Sequence, residues 1–122
     1  MKNLLPFLFL SLVIFSCKES EGPESCGVEN PAQNLPWLAE RIEEIEASSF
    51  SEYFYVTEAR YKGNTVFLME NCCPFCSSVV TVFNCSGENI GYLSEQNGID
   101  PAEITQVSIA WKPSNSSCNF TS

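Results

Sequence analysis

Seven cysteines in 122 residues constrain this chain more tightly than any other feature, because they set how many cross-links a small core can draw on. The first, Cys17, closes the apolar run Leu4 to Phe15. That run is too short for a membrane-spanning helix of about 20 residues and suits the hydrophobic region of an export signal. Lys2 supplies the positive start, and Ile14-Phe15-Ser16-Cys17 has the aliphatic, any, small, cysteine order of a lipobox. A lipid attached to the Cys17 thiol, followed by cleavage after Ser16, would make Cys17 the first residue of the mature chain. An ordinary cleaved signal would leave Cys17 as a spare thiol. Lipidation instead resolves the odd count and leaves six cysteines, Cys26, Cys72, Cys73, Cys76, Cys85 and Cys118, as disulfide candidates.

One acyl chain anchors weakly, at about 0.8 kcal/mol per buried methylene, so lasting attachment takes the several chains of a bacterial lipoprotein. The expected location is the cell envelope, on the outer membrane, facing either the periplasm or the exterior. No later stretch approaches spanning length, since Val79 to Phe83 is strand-sized. The expected partners are therefore the membrane, through the lipid on Cys17, and an envelope or surface protein.

The net charge of −9 becomes −10 once Lys2 leaves with the leader, with five basic against fifteen acidic residues. Such a surface favours solubility and repels nucleic acid. Histidine is absent, which removes the commonest general base and metal ligand. There is no Gly-rich phosphate loop, and no carboxylate pair stands in an apolar setting that would raise a pKa. No catalytic residue, metal or cofactor is expected.

Residues 18–34, with lipidated Cys17 before them, read as a flexible acidic tether rich in Glu, Ser, Gly, Pro and Asn. The domain is expected over 35–122. Leu35-Pro36 opens a helix whose stripe is Leu35, Leu38, Ile42 and Ile45, flanked by Trp37, with Glu40, Glu43, Glu44 and Glu46 on the wet face. Strand character follows over Tyr53 to Tyr61, Thr65 to Glu70, Val79 to Asn84 and Ile90 to Leu93, with Gly63-Asn64 as a tight turn. Asp100-Pro101-Ala102-Glu103 predicts a short helical turn, Gln106 to Trp111 a fifth strand, and Pro113 to Ser122 a polar tail tied back by Cys118. The economical assembly is α+β: one N-terminal helix on a four- to five-stranded antiparallel meander, stapled by disulfides.

Cys72-Cys73-Pro74-Phe75-Cys76 is the one constellation with chemistry in it, since Cys73 and Cys76 have the spacing of thiol–disulfide oxidoreductases. Those enzymes place the first cysteine at a helix N-terminus. Here Ser77 to Asn84 is β-rich, so the cluster is expected to be structural. Zinc held by Cys72, Cys73, Cys76 and Cys85 is the other alternative, disfavoured by export and an even cysteine count. Six cysteines allow fifteen connectivities. Cys72 and Cys73 point apart if extended, and Cys85, at the far end of its strand, is better placed to meet Cys26 or Cys118.

Taken together, Asn30-Pro31, Leu35-Pro36-Trp37-Leu38, Tyr61-Lys62-Gly63-Asn64-Thr65-Val66-Phe67, the Cys72-Cys73 pair and Phe83-Asn84-Cys85-Ser86-Gly87 carry a resemblance. They resemble a domain-of-unknown-function family of small bacteroidete-type lipoproteins, over about residues 30 to 90. The resemblance implies a shared lipoprotein domain and supplies no catalytic residues. Three functional readings follow: a non-enzymatic binding or structural lipoprotein, a periplasmic oxidoreductase using Cys73 and Cys76, and an inhibitor or interaction module. The last would show an exposed apolar patch around Trp37, Tyr53 or Phe75.

Overall fold

The computed structural model describes residues 26–76 and 79–120; the expected leader 1–16, the expected lipidation site Cys17 and residues 18–25 of the expected tether lie outside the described residues. The chain is α+β. A one-turn helix α1 (Pro31–Asn34) leads into α2 (Pro36–Glu46), followed by strands β1 (Phe54–Tyr61), β2 (Asn64–Asn71), β3 (Thr81–Phe83), β4 (Asn89–Tyr92) and β5 (Ile104–Trp111). The sheet is antiparallel, in the order β4-β3-β2-β1-β5. The first four strands form the expected meander. The fifth returns to the free side of β1.

Helix α2 forms because Pro36 fits the first helical turn and its apolar stripe meets the sheet. Leu38 and Ile42 are buried with Leu35 against Val56 and Phe67, while Met69 and Trp111 pack around them. Trp37 stacks edge-on to Phe67 at 5.7 Å and lies 5.8 Å from Phe83. Leu35 precedes the helix in an extended conformation instead of starting it.

The opposite sheet face has its own core of Ala59, Val66, Leu68 and Val82, sealed by Ile99 from the β4–β5 connection. That crossover explains why Thr65, Val66, Phe67 and Leu68 are all buried in succession: β2 is covered on both faces and loses the in–out alternation of a one-sided sheet.

Three local features differ from the sequence reading. The β1–β2 turn residues are Lys62 and Gly63, both with positive φ (52° and 80°), while Asn64 already belongs to β2. Two consecutive left-handed residues match the twist of the hairpin, and the second is glycine, which takes that φ without strain. The third strand shortens to Thr81–Phe83. Finally, residues 26–34, read from composition as tether, are built into the domain. Cys26 is bridged to the sheet, Val28 and Ala32 pack on the helix-side core, and α1 begins at Pro31 after Asn30 in the left-handed region.

The Asp100 turn forms as expected, its carboxylate accepting the Ala102 N–H at 2.9 Å ahead of the 3-10 turn Pro101–Glu103. The tail also folds back. The Ser117 amide donates to the Glu52 carbonyl at 2.8 Å, its hydroxyl to Glu52 Oε2 at 2.9 Å, and Phe120 meets Tyr55 edge-on at 4.9 Å. Among the described residues no helix is long and apolar enough to cross a membrane.

Candidate functional site

All six disulfide candidates are paired, as Cys26–Cys85, Cys72–Cys118 and Cys73–Cys76, with Cα separations of 5.5, 5.7 and 5.3 Å. The sequence reading placed Cys85 with Cys26 or Cys118, and it meets Cys26. Two bridges gather at one end of the sheet and the third lies at the other. Cys85 Sγ is 3.8 Å from the Thr65 carbonyl, beside the β1–β2 hairpin turn, whereas Cys118 Sγ is 3.3 Å from the Tyr53 carbonyl, where β1 begins. Between those ends run the eight residues of β1, or roughly 23 Å at about 3.3 Å per residue.

This arrangement disperses the four candidate zinc ligands. Cys85 is bonded to Cys26 at the hairpin end, and Cys72, Cys73 and Cys76 have their sulfurs in two other bridges. Among the described residues no group of three or more Cys, Asp or Glu side chains is arranged to hold a metal ion. The setting of Cys73 also differs from that of a helix-activated thiol: Val79 and Val80 are irregular and β3 follows. Cys73 is 8% exposed, and its amide donates to Asn71 Oδ1 at 3.2 Å.

Around the Cys73–Cys76 loop stands a cluster of aromatic side chains. Phe75 projects from the loop with 64% of its surface exposed and meets Phe50 edge-on at 5.2 Å and Tyr53 at 5.9 Å. Phe50 is itself 46% exposed. The Cys72 amide donates to the Tyr53 carbonyl at 2.9 Å, so the loop is fixed to the start of β1. Of the aromatics expected to mark an apolar patch, Phe75 is exposed, Tyr53 is half-buried beside it, and Trp37 belongs to the helix-side core. The sequence reading missed Phe50. Its signal was a large apolar residue in the polar stretch Ser48-Ser49-Phe50-Ser51-Glu52, where nothing on the helix period requires it.

A second feature lies on the sheet face away from α2. There a shallow cleft of about 410 Å³ is lined by residues including Tyr55, Thr57, Glu70, Ile109 and Phe120. The buried Thr57 hydroxyl donates to Glu70 Oε2 at 2.6 Å. Burial, and secondarily the Glu70 carboxylate, push the Tyr55 phenol above its ordinary pKa. Lys112, the residue after β5, sits over the Phe120 ring of the tail at 4.8 Å and puts a cation at this end of the cleft.

No protein-family model, curated protein or solved structure matches the chain. The site is an exposed aromatic cluster at the sheet end farthest from the Cys26 bridge.

Proposed function

We propose that this chain is an exported lipoprotein, anchored in the cell envelope through Cys17, whose domain is a non-enzymatic interaction module. Its docking surface is the Phe50–Tyr53–Phe75 cluster. The observation that carries this reading is the exposure of Phe75, on a loop pinned by two disulfides, against the exposed Phe50 of the α2–β1 connection. Solvated aromatics held in one geometry are costly in water and well suited to a protein interface, where they lose little conformational freedom on binding.

The chain's layout supports the same conclusion. Six of the seven cysteines are bridged, which leaves Cys17, at the end of the lipobox, as the remaining one. The segment from Cys17 to Cys26 reaches at most about 30 Å when fully extended, so the lipid would hold the Cys26–Cys85 end close to the bilayer. The aromatic cluster lies at the other end of β1 from that bridge. The partner that fits it is an envelope or surface protein offering apolar side chains rimmed by basic ones, complementary to the net charge of −10 that the chain has without its leader. The resemblance to bacteroidete-type lipoproteins implies the lipid anchor alone.

Photocrosslinking in the native host tests this. A benzophenone amino acid in place of Phe75 in the full-length protein is expected to give one discrete adduct, and the same probe at Asn64, exposed at the other end of the β1–β2 hairpin, to give none. Equal labelling at both positions, or none at Phe75, would overturn the docking surface.

A further inference from the structure

The three disulfides of this domain carry different loads. Cys26–Cys85 and Cys72–Cys118 join residues 59 and 46 apart and fasten the two ends of the folded chain to the sheet. Cys73–Cys76 joins residues 3 apart and closes only the turn that carries Pro74 and Phe75. In the chain-entropy view a cross-link restrains the unfolded chain more as the loop it closes lengthens, so the shortest bridge is the one the fold least needs.

We infer that Cys73–Cys76 is a reversible thiol–disulfide clamp on the aromatic face, opened by a dithiol protein and setting the shape of the docking surface. The inference rests on the reading of that face as the interaction site, and concerns its regulation. Opening the bridge leaves the ladder intact, since β2 ends at Asn71 and β3 begins at Thr81. What it frees is the turn. Phe75 is 64% exposed and meets Phe50 and Tyr53 edge-on, so little burial remains to keep it there once the covalent tie is gone.

The exchange has a defined direction of attack. Cys73 is buried, whereas Cys76 is only partly covered. A partner thiolate therefore attacks Cys76 Sγ, forming a mixed disulfide and displacing Cys73 as a thiolate that takes up a proton. The partner's second thiolate then attacks the partner sulfur of the mixed disulfide and releases Cys76, which is protonated in turn. In sum, a dithiol is oxidised to a disulfide and Cys73–Cys76 is reduced to two thiols. The segment after Cys76 leads into a strand, so Cys73 lacks the helix N-terminus that lowers a catalytic thiol's pKa. The domain is then a recipient of this exchange and not its catalyst, in keeping with a non-enzymatic role.

The test equilibrates the full-length lipoprotein in detergent with graded ratios of reduced to oxidised dithiothreitol. Acid quenching and N-ethylmaleimide labelling follow, and peptide mass spectrometry reads each cysteine. Cys73 and Cys76 should become labelled at a ratio at least about tenfold less reducing than the other four, with the far-ultraviolet circular dichroism unchanged. Labelling of all six in one transition, together with loss of fold, would overturn the clamp. A fluorine probe on Phe75 reads the second half of the claim. Its resonance should sharpen and shift on selective reduction and in the Cys73→Ser/Cys76→Ser variant, and a resonance unmoved by either would also overturn it. The crosslink at Phe75 separates the two readings: its absence in both redox states removes the docking surface, even where the bridge opens selectively. Its presence in one state only supports the regulation.

Discussion

Trp37 and Gly87 form a single joint between the helix and the β3–β4 turn. The Trp37 indole N–H donates to the Cys85 carbonyl at 2.8 Å, and a Cβ on Gly87 would stand 2.8 Å from the indole ring. Gly87 also has φ +84°, where a side chain is strained regardless of space. The joint abuts the Cys26–Cys85 bridge and so fixes the end of the domain that carries it.

Gly87→Ala is expected to destabilise the domain by about 1 to 3 kcal/mol, combining backbone strain with displacement of an indole that cannot yield without losing its hydrogen bond. Thermal unfolding followed by circular dichroism measures this. A melting temperature equal to that of the parent would mean that Trp37 does not rest on Gly87.

The stripe of α2 makes a sharper demand. Leu38 is fully buried and Ile42 nearly so, both against Val56 and Phe67. Leu38→Ala should cost about 2 to 5 kcal/mol. Ile42→Asp should leave the domain unfolded, since a buried unpaired carboxylate costs a large part of a total stability of only about 5 to 15 kcal/mol. Urea unfolding read by tryptophan fluorescence tests both, and a parent-like midpoint for Ile42→Asp would place the stripe in solvent.

Much of this architecture was legible because its signals are local. The three- and four-residue spacing of Leu35, Leu38 and Ile42 marks a helix, the aromatic and β-branched runs mark strands, and Asp100-Pro101 marks a turn. What escaped was long-range or compositional. No local signal says that β5 pairs with the far side of β1, or that Ile99 folds over the second face, because both follow from which apolar surfaces remain uncovered once the meander has formed. Residues 26–30 look like tether by composition, and the Cys26 bridge is what draws them into the domain. For the site, the Cys73–Cys76 spacing was visible. The approach of Phe50 to Phe75 depends on the turn between α2 and β1 and was not.

Tyr55 gives the fold a pH dependence of known sign. Burial, and then the Glu70 carboxylate, raise its pKa above the ordinary 10.0, so the folded state holds the phenolic proton more tightly than the unfolded chain. The stabilisation is fully present below the unfolded value. It is lost as pH rises from about 10 through the folded pKa. Compared between about pH 9 and pH 11, the parent's urea midpoint should fall more steeply than that of Tyr55→Phe. Glu70→Gln, which keeps an acceptor for Thr57, should show an intermediate slope. Equal slopes in all three proteins would show that the Tyr55 phenol is as well solvated folded as unfolded.

Cys17 is expected to stand apart from the six bridged cysteines, and the mass of the mature protein tests that most directly. Full-length protein extracted with detergent from the membranes of its host, and kept unreduced, is to be weighed intact and then mapped by peptide. The expected species begins at Cys17, carries the added mass of acyl chains on that residue, and shows Cys26–Cys85, Cys72–Cys118 and Cys73–Cys76 as its cross-linked peptides. A mature chain with an unmodified Cys17, or one in which Cys17 is disulfide-bonded to any of the other six, would contradict it.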